Sequence, residues 1–198
     1  MTRQQLKRIR QFGKKYYLGT DQFHDWHHAE LTVKYARMLA KQYQNIDLNI
    51  LDTACYLHDI GRVNLDDGHP EESAKIAGPF LKKIDLKEDE IEKILHAISV
   101  HAKERIYEAK TLEAKLLFDA DKLQILSVYG FLRVCFFLIY KRGWNMEKVI
   151  DFMWDYVSSV SKENIQTPLA KKILAPEIKQ IEKIVKDFKK GYQGNLGT

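Results

Sequence analysis

Strand signals are missing from this sequence. No run alternates apolar and polar residues with the period of two that a half-buried strand shows, which argues against sheet-based folds. Ten glycines and four prolines are few for 198 residues, and no linker, internal repeat or low-complexity tract stands out. Flexibly joined arrays are therefore excluded. The two cysteines, Cys55 and Cys135, lie in apolar stretches outside any CxxC pattern. A disulfide framework or thiolate zinc site is excluded on that ground, and buried free thiols in a reducing compartment are expected. Long apolar runs are absent as well. The most hydrophobic stretch, YGFLRVCFFLIY (Tyr129 to Tyr140), is interrupted by Arg133 and is shorter than the about 20 apolar residues that span a bilayer. The opening MTRQQLKRIRQFGKK is basic but has no apolar core of a signal peptide. A cytoplasmic protein with no membrane partner is expected.

What is present is helical periodicity. Hydrophobic residues make up 45% and charged residues 30%, the balance of a globular chain long enough for a real core. Helical spacing predicts helices at about residues 2–12, 28–44, 47–59, 71–84, 88–103, 111–126, 128–142, 145–162 and 168–189. Asp47, the run Pro70-Glu71-Glu72 and the pair Thr167-Pro168 supply start signals. Pro176 should kink or split the last helix, and the terminal GYQGNLGT reads as frayed. One all-α domain of about eight or nine helices is the expected architecture. The net charge of +5 is uneven, with Arg3, Lys7, Arg8, Arg10, Lys14 and Lys15 near the start. A solvated helix face accounts for these best. A rim that draws in anionic substrates is the sharper alternative. No nucleic-acid-binding module is seen, so stable nucleic-acid binding is not expected.

Three helices put polar residues on their apolar faces. His28 shares a stripe with Leu31, Tyr35 and Leu39, and His58 with Leu51, Ala54 and Cys55. Asp121 aligns with Ala114, Leu117, Phe118 and Ile125, and Asp59 directly follows His58. A lone inward histidine is ordinarily a hydrogen-bonded core residue. Inward carboxylates are costlier to bury, and two of them beside two imidazoles are most simply satisfied by a divalent cation. Such a mixed nitrogen and oxygen set suits Mn, Fe, Co, Ni or Zn, with Mg also allowed. Neighbours on a helix differ by about 100°, so His58 and Asp59 can share an ion only near a helix end. Gly61 in the following IGR is a candidate for the residue that ends it.

The ordered set His28, His58-Asp59 and Asp121 resembles the H…HD…D signature of the HD-domain metal-dependent phosphohydrolase superfamily, an all-helical fold. HDWHH, ILHAISVHA and TLEAKLLFDADKL are similar to the HDWxH, HAIxxHS and TLEAKxxxDADRL segments of a small bacterial subgroup. Leu31-Thr32 and Gln124 depart from that subgroup, which has Arg-Val and Asp there. The resemblance implies a single HD domain over residues 1–198, its core at about 21–133 with C-terminal helices 145–190 packed on it. It implies His28, His58, Asp59 and Asp121 as metal ligands and a phosphomonoester or phosphodiester, of the nucleotide class, as substrate. Metal-activated water would be the nucleophile, with Asp59 also catalytic as the acceptor of its proton.

Other residues are open to two readings. His96 and His101 are expected on one helix, about 140° apart, as ligands of a second ion, substrate contacts or ordinary histidines. Arg62 and Lys122 adjoin the ligands and are candidate phosphate contacts, as more loosely are Lys103 and Arg105. His69 lies in the loop DDGHPEES, either folding over the cavity or serving as a turn residue. Asp25 is a candidate to orient an imidazole. Two rival functions are a di-iron oxygenase and a metal-containing nucleotide sensor without turnover. The former calls for widely spaced middle histidines, and His96 and His101 are close. The oligomeric state is left open.

Overall fold

Short polar side chains open the helices of this computed structural model, which describes residues 1–195 and omits the side chains at 158 and 160–163. The Thr2 side chain accepts the Gln5 N–H to begin α1 (Arg3–Tyr17). Asp25 accepts the His28 N–H at the start of α2 (Trp26–Ala40), and Asp47 accepts those of Asn49 and Ile50 at the start of α3 (Leu48–Leu57). Glu71 and Glu72 occupy the first turn of α4 (His69–Lys83), and Glu88, Asp89 and Glu90 that of α5 (Glu88–Ser99). Each set places negative charge at the positive end of a helix dipole. Then come α6 (Leu112–Ile125), α7 (Val128–Tyr140), α8 (Met146–Glu163) and α9 (Pro168–Tyr192). Two short 3-10 turns, Ile60–Val63 and Ile106–Glu108, complete the regular structure. No strand occurs among the described residues. The all-α expectation holds.

The departures have local causes. Gly13, which weakens a helix by about 1 kcal/mol, does not end α1, because Ile9, Gly13 and Tyr17 form one buried stripe. Pro176 does not split α9. Pro176 and Lys172, the residue whose carbonyl loses its helical donor, both lie on the exposed side, where water can replace the bond. Helix α5 stops at Ser99, before His101. Gly61 is not a left-handed helix end, since the glycines with positive φ are Gly68, Gly143 and Gly194. It lies instead in the 3-10 turn after α3. Cys55 is buried as expected, but Cys135 is only half-buried; both are free thiols. The terminal segment is helical to Tyr192, and residues 196–198 lie outside the described ones.

Two compact units divide within α6. The first, Met1–Asp121, centres on α3, which packs against α1, α2 and α5. Helix α4 packs against α5 and the 3-10 turn at Ile60. All but three residues of α3 are buried, which is why its last turn opens into protein interior. The second unit, from Lys122 on, pairs α8 with α9 and sets α7 against both. Among the described residues no single helix is long and apolar enough to cross a membrane.

Candidate metal centre

Helix α3 ends one residue before His58, and the chain then tightens into the 3-10 turn. That break lets adjacent side chains share a cluster. His58 Nε2 lies 3.5 Å from Asp59 Oδ2, although neighbours on a continuous helix diverge. From α2, His28 brings its Nε2 to 3.2 Å from His58 Nε2 and 3.5 Å from Asp59 Oδ2. From α6, Asp121 Oδ1 reaches 3.4 Å from His28 Nε2. His28, His58, Asp59 and Asp121 are at most 6% exposed. The structure thus brings all four expected ligand positions together inside the first unit.

The other oxygen of Asp59 faces a second pair of rings. Oδ1 is 3.1 Å from His69 Nε2 and 3.4 Å from His101 Nε2. His101 joins the cluster because it lies beyond the end of α5, so the helical angle to His96 does not constrain it. His96 stays apart, its Nε2 accepting the Lys110 N–H at 3.0 Å. His69, in the first turn of α4, is the residue the sequence signals least, because a loop position carries no helical period to mark it as inward.

Backbone carbonyls fix the protonation of three rings. His58 Nδ1 donates to the Cys55 carbonyl at 2.8 Å, His69 Nδ1 to Asp66 at 2.7 Å, and His101 Nδ1 to Ile98 at 2.6 Å. A carbonyl can only accept, so each ring carries a hydrogen on Nδ1, and because a guanidinium can only donate, Arg62 Nη2 3.0 Å from His69 Nε2 makes that nitrogen an acceptor. Burial lowers the His58 pKa to about 4 and lowers that of His101 as well, which keeps both rings neutral. Burial alone would raise the Asp59 carboxyl, but the Arg62 guanidinium beside it outweighs that and holds it well below the usual range. Asp59 Oδ1 is buried and accepts no hydrogen bond. Neutral imidazole lone pairs facing an ionised, unsatisfied carboxylate are the chemistry of a divalent-metal site. His28, His58 and Asp59 form one group able to hold an ion, and Asp59, His69 and His101 another.

The remaining candidates are placed as follows. Arg62 turns inward, with Nε 2.8 Å from Asp59 Oδ2 and Nη2 3.0 Å from His69 Nε2. Lys122 is buried and begins the second unit. Asp25 supports His28 by capping α2 through its backbone N–H at 3.0 Å. Arg105 is engaged by Glu71 and by Glu108, the latter at 2.8 Å. Gly61 is required by close packing: a Cβ there would lie 2.6 Å from both the His69 carbonyl oxygen and the Ser73 nitrogen. Its N–H donates to Ser73 Oγ at 2.8 Å, tying the turn after Asp59 to the helix that carries His69.

Solved structures share this fold at low identity. A protein from Lactobacillus plantarum superposes with a TM-score of 0.82 at 19% identity, covering 98% of this chain and 99% of the other. Bacillus subtilis YpgQ, crystallised in complex with ADP, gives 0.73 at 18% identity, covering 95% of each chain. An HD-superfamily hydrolase from Bacillus thuringiensis gives 0.72 at 21%, covering 96% and 97%. No curated protein matches the sequence. The profile of the HD domain family matches residues 25–126, a span that holds every residue of the cluster and more than half of the chain. This chain belongs to the HD-domain family.

Proposed function

We propose that the protein is a divalent-metal-dependent phosphohydrolase acting on a phosphomonoester or phosphodiester of the nucleotide class. The observation that carries the reading is the convergence of His28, His58, Asp59 and Asp121, with the His58 lone pair turned toward an ionised carboxylate. These four residues would hold the ion. When bound, a divalent cation there would supply Lewis-acid polarisation of a phosphoryl oxygen and lower the pKa of a water. Asp59 contributes the acceptor. Its Oδ1 has unused capacity to hold the attacking water and to take that water's proton as the ester P–O bond breaks. Arg62 keeps the Asp59 carboxylate in its charged form. The nucleotide class draws support from YpgQ, the fold neighbour crystallised with ADP. Hydrolysis of bis(p-nitrophenyl) phosphate and of a nucleotide panel should require added divalent ion and vanish in Asp59→Ala; full turnover in EDTA would overturn the reading.

A second reading is weaker. A two-ion oxidase needs widely separated middle histidines, and although His69 and His101 meet on one carboxylate oxygen, Arg62 Nη2 already lies 3.0 Å from His69 Nε2. An iron-free preparation that hydrolyses phosphate esters would count against it.

A further inference from the structure

We propose that the Arg62 guanidinium stands in for a second cation and restricts this centre to one divalent ion per chain. The proposal rests on the metal reading and adds to it what sets the stoichiometry. Asp59, His69 and His101 converge closely enough to hold an ion of their own. Arg62 already occupies one of the three donors. The His69 hydrogen is on Nδ1 and committed to the Asp66 carbonyl, so its Nε2 has a single lone pair. A guanidinium carries only donors and stays charged in proteins. The 3.0 Å approach of Arg62 Nη2 to His69 Nε2 is therefore a hydrogen bond that consumes that lone pair. An ion would need the same electrons, so His69 serves either Arg62 or a metal.

Charge works in the same direction. Arg62 Nε lies 2.8 Å from Asp59 Oδ2, the oxygen that also faces His28 and His58. One carboxylate is thus shared between the first ion's ligands and a fixed positive group. A second dication on the other oxygen would sit against that group in a buried site, where repulsion is weakly screened. The turn fixes the arginine in place: Arg62 follows Asp59 by three residues, and the Arg62 N–H donates to the Asp59 carbonyl at 3.0 Å. Its side chain is only 15% exposed.

The test counts metal rather than turnover. Full-length protein stripped with EDTA, saturated with Mn²⁺ and desalted is assayed for bound manganese by plasma mass spectrometry, with electron paramagnetic resonance reporting exchange-coupled pairs. Wild type should carry one ion with an uncoupled signal. Arg62→Ala should carry two, with a coupled signal, and Arg62→Ala/His69→Ala should return to one. Arg62→Lys, which retains the charge, should carry one. His69→Ala, with Arg62 intact, should also keep one. Two ions in wild type, or one in a folded Arg62→Ala, would overturn the proposal. Should Arg62→Ala not fold, His69→Ala still decides: loss of its ion would make His69 a ligand of the first metal. A wild type that retains no manganese would instead overturn the metal reading, and this inference with it.

Discussion

Replacing Gly61 with alanine tests how tightly the turn after Asp59 is tied to α4. The added Cβ would lie 2.6 Å from the His69 carbonyl oxygen, 2.6 Å from the Ser73 nitrogen and 2.9 Å from Ser73 Oγ. Two of these are backbone atoms, which cannot rotate aside. Restoring ordinary contact requires α4 to retreat by roughly 0.8 Å, in a region where Gly61 and Ser73 are both buried. Overpacking of a core costs about 1–3 kcal/mol, and stretching the Gly61–Ser73 hydrogen bond adds about 1 kcal/mol. The expected loss is about 2–4 kcal/mol, or a fall in Tm of roughly 5–15 °C for a chain of this size. Gly68 is the control. It has φ of +77° and nothing within 4 Å of where a methyl group would stand, so alanine there meets only backbone strain of about 1–2 kcal/mol. Gly68→Asn should recover part of that. Differential scanning calorimetry of the EDTA-treated proteins reads all three. A Gly61→Ala protein no less stable than Gly68→Ala would refute the steric argument.

Three further outcomes are expected. Arg37 Nε donates to both oxygens of the buried Asp52 at 2.9 and 3.1 Å, so Arg37→Ala leaves a desolvated carboxylate and should cost about 1–3 kcal/mol; a lowered urea midpoint at unchanged m-value is the readout. The buried Tyr17 hydroxyl meets the Asp59 backbone N–H and makes no other hydrogen bond among the described residues, so Tyr17→Phe should change stability by less than about 1 kcal/mol, and a larger fall in Tm would contradict this. Burial alone would raise the Asp21 carboxyl, yet the His24 ring and the N–H groups of Phe23 and His24 draw its pKa down to about 2. Its contribution is therefore present above the unfolded value near 3.8 and lost as pH falls toward 2. Discounted for solvent screening it amounts to about 1 kcal/mol, so the stability gap between wild type and Asp21→Asn should close across that window in denaturant titrations.

The candidate ligands legible in the sequence were those that break a pattern. His28, His58 and Asp121 interrupt apolar stripes, and a buried carboxylate beside buried imidazoles is costly enough to demand explanation. His69 interrupts nothing, because it opens a helix after a loop, and only the fold brings it to Asp59. Of His96 and His101 only the latter lines the cluster, and the two part because α5 does not continue to residue 103 as its spacing suggested. The helix ends at Ser99, and a turn after Val100 swings His101 inward while His96 serves a loop amide. Arg62 adjoins the candidate ligands in sequence, but its direction toward Asp59 follows from the 3-10 turn, which no periodicity announces. The pair His58-Asp59 was readable as a helix-end feature; Gly61 was readable only as a candidate helix end, whereas close packing and not a left-handed turn requires it.

The three rings with fixed tautomers are held in the same way, each donating its Nδ1–H to the carbonyl three residues earlier: Cys55 for His58, Asp66 for His69, Ile98 for His101. A peptide oxygen cannot be removed by exchanging a side chain. Amino-acid changes around the cluster can therefore alter its surroundings, while the lone pairs it presents persist as long as these short backbone turns do. The cluster takes the aim of its lone pairs from the main chain.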